Sequence, residues 1–214
     1  STQKMKIAFI GDIQSINSIS WIREMERQGE EVLTWTFSAH SSKKKLGLFS
    51  FITDVISLRK WLKETRPDFM IAYRTTSYGF AAAFSGFKPY STAAMGESDA
   101  WPFGRFSTKV KVLMGAFALK RASLVQAWST SMVAGLEEMR VDKKKLFVKP
   151  RGININNFPC TVTPLKDDGI VRAIVTRTLA PEYHIDQIIK AVELLNSKDG
   201  RCVELYIAGD GPLN

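Results

Sequence analysis

Short apolar runs alternate with amphipathic segments along most of the chain. Residues 5–10 form an apolar run that ends at Gly11, and apolar positions then recur at helical spacing as far as Met25. Gly29 ends this helical pattern, and residues 31–37 predict the next strand. A strand, a helix and a second strand without a hairpin turn form a β-α-β unit. Such a unit implies a parallel sheet.

The same alternation continues to about residue 150. Predicted strands lie at residues 5–10, 31–37, 68–73, 90–95, 124–128 and 146–149, with helical patterns between them near residues 51–62, 79–85, 110–119 and 132–139. Strands separated by helices and lacking hairpins predict an α/β fold with a doubly wound, Rossmann-like parallel sheet.

Residues 151–169 interrupt this rhythm, because asparagines, prolines and an Asp-Asp-Gly turn replace any countable period. The pattern then restarts with a strand at 170–176, a helix at 185–195 and a strand at 203–208. We therefore predict a first domain at residues 1–150, a hinge or linker at 151–169 and the start of a second Rossmann-like domain at 170–214. Two strands and one helix are too few for an independently stable domain, so we expect this piece to be a truncated start.

Composition and cysteine spacing narrow the class of protein. The chain has 214 residues of which 45% are hydrophobic, which is enough for a sizeable core. Cys160 and Cys202 stand in neither metal-ligand nor redox-motif spacing, so we expect a reducing, cytoplasmic compartment and no metal. The longest apolar stretches, residues 80–87 and 110–119, are shorter than the roughly 20 residues that span a bilayer.

The charge favours anionic partners. A formal net charge of +9 is compatible with phosphates, acidic lipid or nucleic acid and does not choose among them. One segment, beginning at Lys43-Lys44-Lys45 and continuing through large apolar residues to the cations near Trp61, could rest on anionic lipid at the inner face of a membrane. The alternative is a solvated loop before an ordinary core helix.

Ligand-binding residues are expected where the strands of an open parallel sheet end, because helix N-termini present free N–H groups there. The loops that follow predicted strands are residues 11–17, 74–78, 96–103, 129–131, 177–184 and 209–212. We expect Gly11, Asp99 and Ser129 at the same edge of the first sheet, facing the second unit, because all three follow strands of one parallel sheet. Gly11 could let backbone approach a ligand or could be only a turn, and Ser129-Thr130-Ser131 could bind an anion or cap the following helix.

Six segments, in order along the chain, carry a family resemblance. KIAFIGD at residues 6–12 with Ser15, Asn17 and QGEEV at 28–32 resembles the opening of family-four glycosyltransferases. The similarity continues in order through AMGESD at 94–99, VKPRGIN at 148–154, TRTL at 176–179 with Glu182 and Ile185-Asp186, and IAGDGPL at 207–213. The chain thus resembles a retaining, nucleotide-sugar-dependent glycosyltransferase of the GT-B fold.

The resemblance implies a two-domain enzyme with the reaction in the cleft between the domains. The first domain would hold a glycan, lipid-linked or polysaccharide acceptor, with Gly11, Ser15, Asn17 and Ser129 in the loops nearest to it and Asp99 as the catalytic carboxylate. The second would bind the donor's diphosphate through three residues, Arg177, Glu182 and Gly209. Arg177 suits this role because its planar guanidinium can bind phosphate oxygens bidentately. The family needs no cofactor beyond its nucleotide-sugar substrate.

Several positions depart from the family pattern. Tyr183 stands where the family has a lysine, and His184 follows it in place of a glycine. Asn17 replaces a frequent histidine, Met95 precedes the glycine of its loop, and Arg151 replaces an asparagine. The family's paired glutamates would lie downstream of the sequence printed here, so we expect this piece alone to be inactive.

Other functions remain open at this point. The departures also suit a non-catalytic, glycosyltransferase-like binding or regulatory module. Net charge alone suggests a third hypothesis, a nucleic-acid-binding domain, although no recognition motif accompanies the charge. A dinucleotide-dependent oxidoreductase is disfavoured because neither opening strand-to-helix turn carries GxGxxG.

Overall fold

The computed structural model describes residues 4–38, 48–94, 106–150, 152, 155–157, 168–198 and 202–212. The chain divides into two compact units, Ser1–Phe158 and Pro159–Asn214. The division falls inside the segment 151–169, where the sequence rhythm breaks.

The first unit alternates strands and helices. Its elements are β1 (Lys6–Ile10), α1 (Ile16–Arg27), β2 (Glu31–Trp35), α2 (Leu48–Thr65), β3 (Phe69–Ala72), a π-helical turn (Thr75–Gly79), α3 (Phe80–Ser85), β4 (Tyr90–Ala94), α4 (Phe106–Arg121), β5 (Leu124–Ala127), α5 (Ser131–Glu138), a 3-10 turn (Lys143–Lys145) and β6 (Leu146–Val148). A further 3-10 turn, Ile155–Asn157, follows β6.

Six parallel strands form one sheet in the order β2-β1-β3-β4-β5-β6. The α/β fold with a parallel Rossmann-like sheet, predicted from the alternation of apolar runs and helices, is thereby confirmed. The chain reverses direction across the sheet after β2, because β3 pairs with β1 and each later strand adds beyond it. Such a reversal creates the crevice in which open sheets of this kind bind ligands.

The main core lies between the sheet and the helices α2 to α5. Fully buried side chains from β1 and β3 meet apolar residues from these helices, including Leu58 of α2 and Leu119 of α4. Tyr78 lies in this core: its ring stacks on Phe37 at 4.4 Å between centroids, and its hydroxyl lies 2.9 Å from Thr36 Oγ1. Burial raises the pKa of Tyr78 to about 12.

Helix α1 has capping residues at both ends. Ser15 is the N-cap residue, and its side chain accepts a hydrogen bond from the Ser18 N–H. The helix ends at Arg27, and Gly29 follows with φ +92°, a value that favours glycine. Arg27 donates two hydrogen bonds to Glu24, which lower the pKa of that carboxyl to about 2. The predicted stop at Gly29 is where the helix ends.

The second unit contains one β-α-β repeat. Strand β7 (Ile170–Val175), a 3-10 turn (Pro181–Tyr183), helix α6 (Ile185–Lys198) and strand β8 (Cys202–Ile207) follow in that order. Strands β7 and β8 pair in parallel and form a separate two-stranded sheet. At the start of β7, Arg172 donates to both carboxylate oxygens of Asp168, which holds the pKa of that carboxyl below its usual range.

Candidate functional site

The carboxyl ends of the first unit's strands bring several sequence-predicted residues to one edge. Gly11 directly follows β1, Arg74 comes shortly after β3, and Ser129 comes shortly after β5. Because these strands are parallel, the three positions share an edge of the sheet. Asp99, the predicted catalytic carboxylate, lies outside the described residues.

Gly11 has a packing role at this edge. A Cβ at this position would come within 2.9 Å of the Phe9 ring and 3.1 Å of the Tyr73 Cβ. Its N–H donates to the Trp35 carbonyl at 3.1 Å. The side on which a methyl would stand is therefore filled by aromatic neighbours, and the N–H already has a partner within the protein.

Ser15 and Asn17 lie at the start of α1 and differ in their hydrogen bonding. Ser15 Oγ accepts from the Ser18 N–H at 3.2 Å and also bonds the Ser18 hydroxyl at 2.9 Å, so it serves the helix. Asn17 Oδ1 is buried and has no hydrogen-bond partner within the described part of the chain. A buried polar atom without a partner is costly, so Asn17 is the residue of this pair that suits a ligand or an ordered water.

Three aromatic side chains join α1, β3 and β5 at the same edge. The Tyr73 ring lies 6.1 Å from that of Trp21 and 6.3 Å from that of Trp128, between ring centroids. Trp128 Nε1 is also buried and makes no hydrogen bond within the described residues. Asn17 stands four positions before Trp21, so both lie on one face of α1. The edge thus combines apolar rings with a buried acceptor, Asn17 Oδ1, and a buried donor, Trp128 Nε1.

Arg74 adds a strained backbone, which the sequence did not indicate. Its φ is +94° and its ψ is 135°, a region that L-residues rarely adopt. Its carbonyl accepts a hydrogen bond from the Gly79 N–H at 2.8 Å, which closes the π-helical turn. A Cβ on Gly79 would lie 2.7 Å from Thr92 Oγ1, so a larger residue does not fit there. Strained residues and π-helical turns concentrate at functional sites, and Arg74 is an exposed cation in such a turn.

The serine cluster after β5 does not cap α5 in the predicted way. Thr130 is the N-cap residue and makes no side-chain capping hydrogen bond. Ser129 Oγ lies 2.7 Å from Ser131 Oγ, so the two hydroxyls bond each other instead. The cluster thus lies at the N-cap of α5, as the capping alternative expects, but Thr130 gives the helix no capping hydrogen bond from its side chain. The reason is that the backbone of Thr130 is already helical, whereas an N-cap side chain bonds best from an extended backbone.

In the second unit, the loops after β7 and β8 are in direct backbone contact. A Cβ on Gly209 would overlap the Arg177 carbonyl oxygen. Two residues further along the chain, a Cβ on Gly211 would overlap the Leu179 carbonyl oxygen, and the Leu179 N–H donates to the Asp210 carbonyl at 3.0 Å. Both glycines are therefore required for the two loops to meet.

Arg177 stacks on Tyr183 in this pair of loops. The guanidinium carbon lies 5.1 Å from the centre of the Tyr183 ring, within the range of a cation–π interaction. His184 ends the 3-10 turn with φ +49°, and α6 begins at the next residue. Glu182 has its backbone in that turn, while its side chain lies outside the described atoms. The predicted donor residues Arg177 and Gly209 are thus brought together at the carboxyl ends of β7 and β8.

Three further features of the described residues bear on the site. No group of three or more His, Cys, Asp or Glu residues that could hold a metal ion occurs within the described ranges. A surface depression of about 380 Å³, lined by Arg59, Lys63 and residues 85–87 among others, lies where strands of the first sheet begin, away from the carboxyl edge. Within the same ranges no helix has both the length and the apolar content to cross a bilayer.

Comparison with solved structures shows the GT-B fold. The apo form of the lipopolysaccharide outer core galactosyltransferase WaaB is 17% identical with a TM-score of 0.65, over 97% of this chain and 62% of its own length. Anabaena Alr3699/HepE in complex with UDP and glucose is 16% identical with a TM-score of 0.66, over 97% of this chain and 62% of its own.

A second kind of enzyme shares the fold. A UDP-N-acetylglucosamine 2-epimerase is 14% identical with a TM-score of 0.58, over 95% of this chain and 63% of its own. The chain therefore spans less than two thirds of the length of these structures. No family model and no curated protein matches it.

Proposed function

We propose that the chain is part of a nucleotide-sugar-dependent glycosyltransferase. In this proposal residues 170–214 belong to a donor-binding domain and residues 1–150 form the acceptor-binding domain. The fold shared with the galactosyltransferase and with the UDP-bound and glucose-bound HepE supports this class. The sugar and the acceptor are left unspecified, because fold likeness at such low identity carries no specificity.

One observation carries the donor part of the proposal. Arg177 lies in the loop after β7, which packs backbone to backbone against the loop after β8. Gly209 and Gly211 allow the loop after β8 to rest on the loop after β7. Tyr183 stands where the family has a lysine, and its ring centre lies 5.1 Å from the Arg177 guanidinium carbon, so the ring stacks against the guanidinium. A stacked arginine loses less side-chain freedom when it binds phosphate than an unsupported one. Tyr183 thus orients the remaining cation, whereas the family's lysine would add a second.

The helix that follows contributes to the same end of the sheet. Helix α6 begins at Ile185, so its first N–H groups point toward the carboxyl ends of β7 and β8. Asp186 in its first turn opposes an anion, but its carboxylate lies 3.8 Å from Lys190 Nζ, which offsets part of its charge. Arg177 is therefore the main positive group for a diphosphate at this end.

On the acceptor side, the proposal rests on polar atoms that the described residues leave unpaired. Asn17 Oδ1 can accept from a sugar hydroxyl, and Trp128 Nε1 can donate to one. Trp128 belongs to the aromatic cluster around Tyr73, and Asn17 lies on the face of α1 that carries Trp21 of that cluster. Asp99 follows β4 in sequence and is proposed as the group that orients or deprotonates the acceptor hydroxyl.

Titration calorimetry of the full-length protein with UDP tests the donor site. Replacement of Arg177 with alanine should weaken UDP binding by about 1.5–3 kcal/mol, the scale of a hydrogen bond to a charged group. Arg177→Lys should restore only part of the loss, because the planar fork is gone. Tyr183→Leu should weaken binding less than Arg177→Ala, since the cation remains without its support.

Lys198→Ala is the matched control, because Lys198 is a cation at the opposite end of α6. It should leave the affinity unchanged. Equal affinity in wild type and Arg177→Ala would mean that Arg177 is an ordinary surface residue, and the donor site would lose its anchor.

A second candidate is isomerisation of the nucleotide sugar itself, because two structures described as UDP-N-acetylglucosamine 2-epimerases, one of them putative, share the fold at TM-scores above one half. An epimerase needs no acceptor. Incubation of the full-length protein with UDP-N-acetylglucosamine alone, followed by nuclear magnetic resonance of the sugar, separates the two. A new epimer without added acceptor supports the epimerase, whereas sugar transfer or slow donor hydrolysis supports the glycosyltransferase. UDP binding with neither reaction supports a non-catalytic module.

A further inference from the structure

The helical layer α2–α3–α4 presents large apolar side chains to solvent. On α2, Phe49 is 87% and Ile56 60% exposed, and on α4 Leu113 is 71% exposed. We call the full set the apolar ridge; its described members are Phe49, Ile52, Ile56, Phe84, Leu113 and Phe117. Single exposed apolar residues are common, but a group of this size on neighbouring helices marks an interaction surface.

Ring contacts pack the three helices against one another. Phe51 of α2 lies 5.5 Å from Phe80 of α3, and Phe80 lies 4.8 Å from Phe84. Phe84 in turn lies 5.1 Å from Phe117 of α4, all between ring centroids. Phe51 also packs against the core, whereas Phe49, Ile52 and Ile56 form an exposed stripe along another face of α2. The apolar ridge is therefore a set of exposed apolar side chains carried by three helices in direct contact.

Cations border the apolar ridge at the C-terminal ends of these helices. Arg59, Lys60 and Lys63 occupy the last turns of α2, and Lys120 and Arg121 end α4. All five are exposed. The Arg121 guanidinium stacks on the Phe117 ring at 5.3 Å. Arg59 and Lys63 also line the depression of about 380 Å³, which is large enough to admit a phosphate group.

Acidic residues are few on this layer. Helices α3 and α4 contain no aspartate or glutamate in their sequence. In α2, Asp54 is buried and bonded to Ser38, which leaves Glu64 as the exposed acid, 3.9 Å from Lys60. The surface is therefore apolar along its length and positively charged at one end.

We propose that the apolar ridge and its cations dock on a bilayer that contains anionic phospholipid. The apolar side chains enter the boundary between headgroups and acyl chains, and the cations bind lipid phosphates. A second copy of the chain fits this surface less well, because it carries the same five exposed cations and, among the described residues of these helices, Glu64 as the exposed acid, so it offers the cations little opposite charge. This surface lies on the helices rather than at the carboxyl edge, so the inference does not depend on the proposed reaction.

Vesicle co-sedimentation of the full-length protein tests the inference. The protein should bind phosphatidylcholine vesicles that contain about one third phosphatidylglycerol, bind pure phosphatidylcholine weakly, and dissociate as salt screens the charges. Replacing Phe49 and Ile56 together with serine should lower the partition coefficient about ten-fold or more, because two buried apolar side chains are lost. Replacing Lys63 with glutamine should lower it about five-fold, the loss of one cation near an anionic surface.

Two matched variants serve as controls. Ile16→Ser removes an apolar side chain of similar exposure from α1, and Lys144→Gln removes a cation from the turn before β6. Both should bind anionic vesicles like wild type. The inference is overturned by no binding to anionic vesicles, by equal binding to both lipid compositions, or by equal losses in the variants and their controls.

Sedimentation velocity tests whether a second copy of the chain, rather than lipid, binds the apolar ridge. If Phe49→Ser with Ile56→Ser leaves vesicle binding intact but converts a dimer to a monomer, the apolar ridge is an interface between copies and the lipid proposal is wrong. Circular dichroism should be unchanged in every variant, because all these side chains are exposed.

Discussion

The two units repeat the same β-α-β arrangement but bury their apolar residues to very different extents. In the first unit, residues such as Phe9, Ile10 and Leu58 are fully buried. In the second, the buried apolar side chains among the described residues are Ala180 and Ile185, while Ile174 is 67% exposed. Six strands flanked by several helices enclose a core, whereas two strands and one helix cover only part of their surface. An alternation of apolar and polar residues is thus sufficient for strands and a helix, whereas a buried core also needs several such elements packed together.

The largest expected effect is the loss of a core side chain from the first unit. Leu58→Ala should lower the free energy of unfolding by about 2–5 kcal/mol, because it leaves a cavity between α2 and the sheet. Ile174→Ala should change it by less than about 0.5 kcal/mol, since that side chain is mostly in solvent. Chemical denaturation measures both. A cost at Ile174 equal to that at Leu58 would show that something covers β7 in solution.

A smaller effect is expected at the π-helical turn. Gly79→Ala should destabilise the protein by about 1–3 kcal/mol, because a Cβ would meet Thr92 Oγ1 at 2.7 Å and the Arg74 carbonyl at 3.0 Å. Gly115→Ala is the matched control in α4, where a Cβ would make only an ordinary contact at 3.5 Å with Met139. The control should be neutral or stabilise by up to about 1 kcal/mol. Similar values for the two variants would contradict the close packing at Gly79.

The smallest effect concerns the dependence of stability on pH, and it tests the burial of a tyrosine in the enclosed core of the first unit. Burial raises the pKa of Tyr78 from 10.0 to about 12. Between these values the unfolded chain releases the phenolic proton while the folded chain keeps it, so stability falls as pH rises from 10 to 12. Tyr78→Phe should reduce this slope, at the cost of the hydrogen bond to Thr36. Urea unfolding at several pH values measures it. An equal slope in wild type and Tyr78→Phe would contradict the burial of this hydroxyl.

The strands could be predicted from the sequence because parallel strands are buried on both faces and therefore appear as apolar runs. Each described strand of the first sheet lies within a predicted run, and β8 begins at Cys202, one residue before the predicted start. The helix predicted at 79–85 corresponds to α3 (Phe80–Ser85), but the sequence did not predict the π-helical turn Thr75–Gly79 that precedes it. The π-helical turn before it depends on Gly79 packing against Thr92, a contact between distant residues that no local period encodes.

The candidate site was predictable in position but not in detail. Gly11 and Ser129 share an edge because parallel topology requires it. Nothing in the sequence indicated the positive φ of Arg74, since arginine rarely adopts such a backbone conformation. The unpaired atoms of Asn17 and Trp128 depend on burial by tertiary packing, which composition does not reveal. The stacking of Arg177 on Tyr183 likewise requires the turn between them to fold back.

The strand order of the first sheet has a consequence for synthesis on the ribosome. Strands β4, β5 and β6 each pair with the strand that precedes them in the chain, so the sheet can extend at one growing edge as the chain emerges. An unfinished parallel edge is a template for wrong partners, and nascent chains expose it until the next strand arrives. Within the described residues, β6 is the last strand added to this sheet; it has only three residues, and Pro150 follows shortly after. A short strand next to a residue without an N–H offers an incoming chain few hydrogen-bonding groups, so this edge is a poor template for wrong partners.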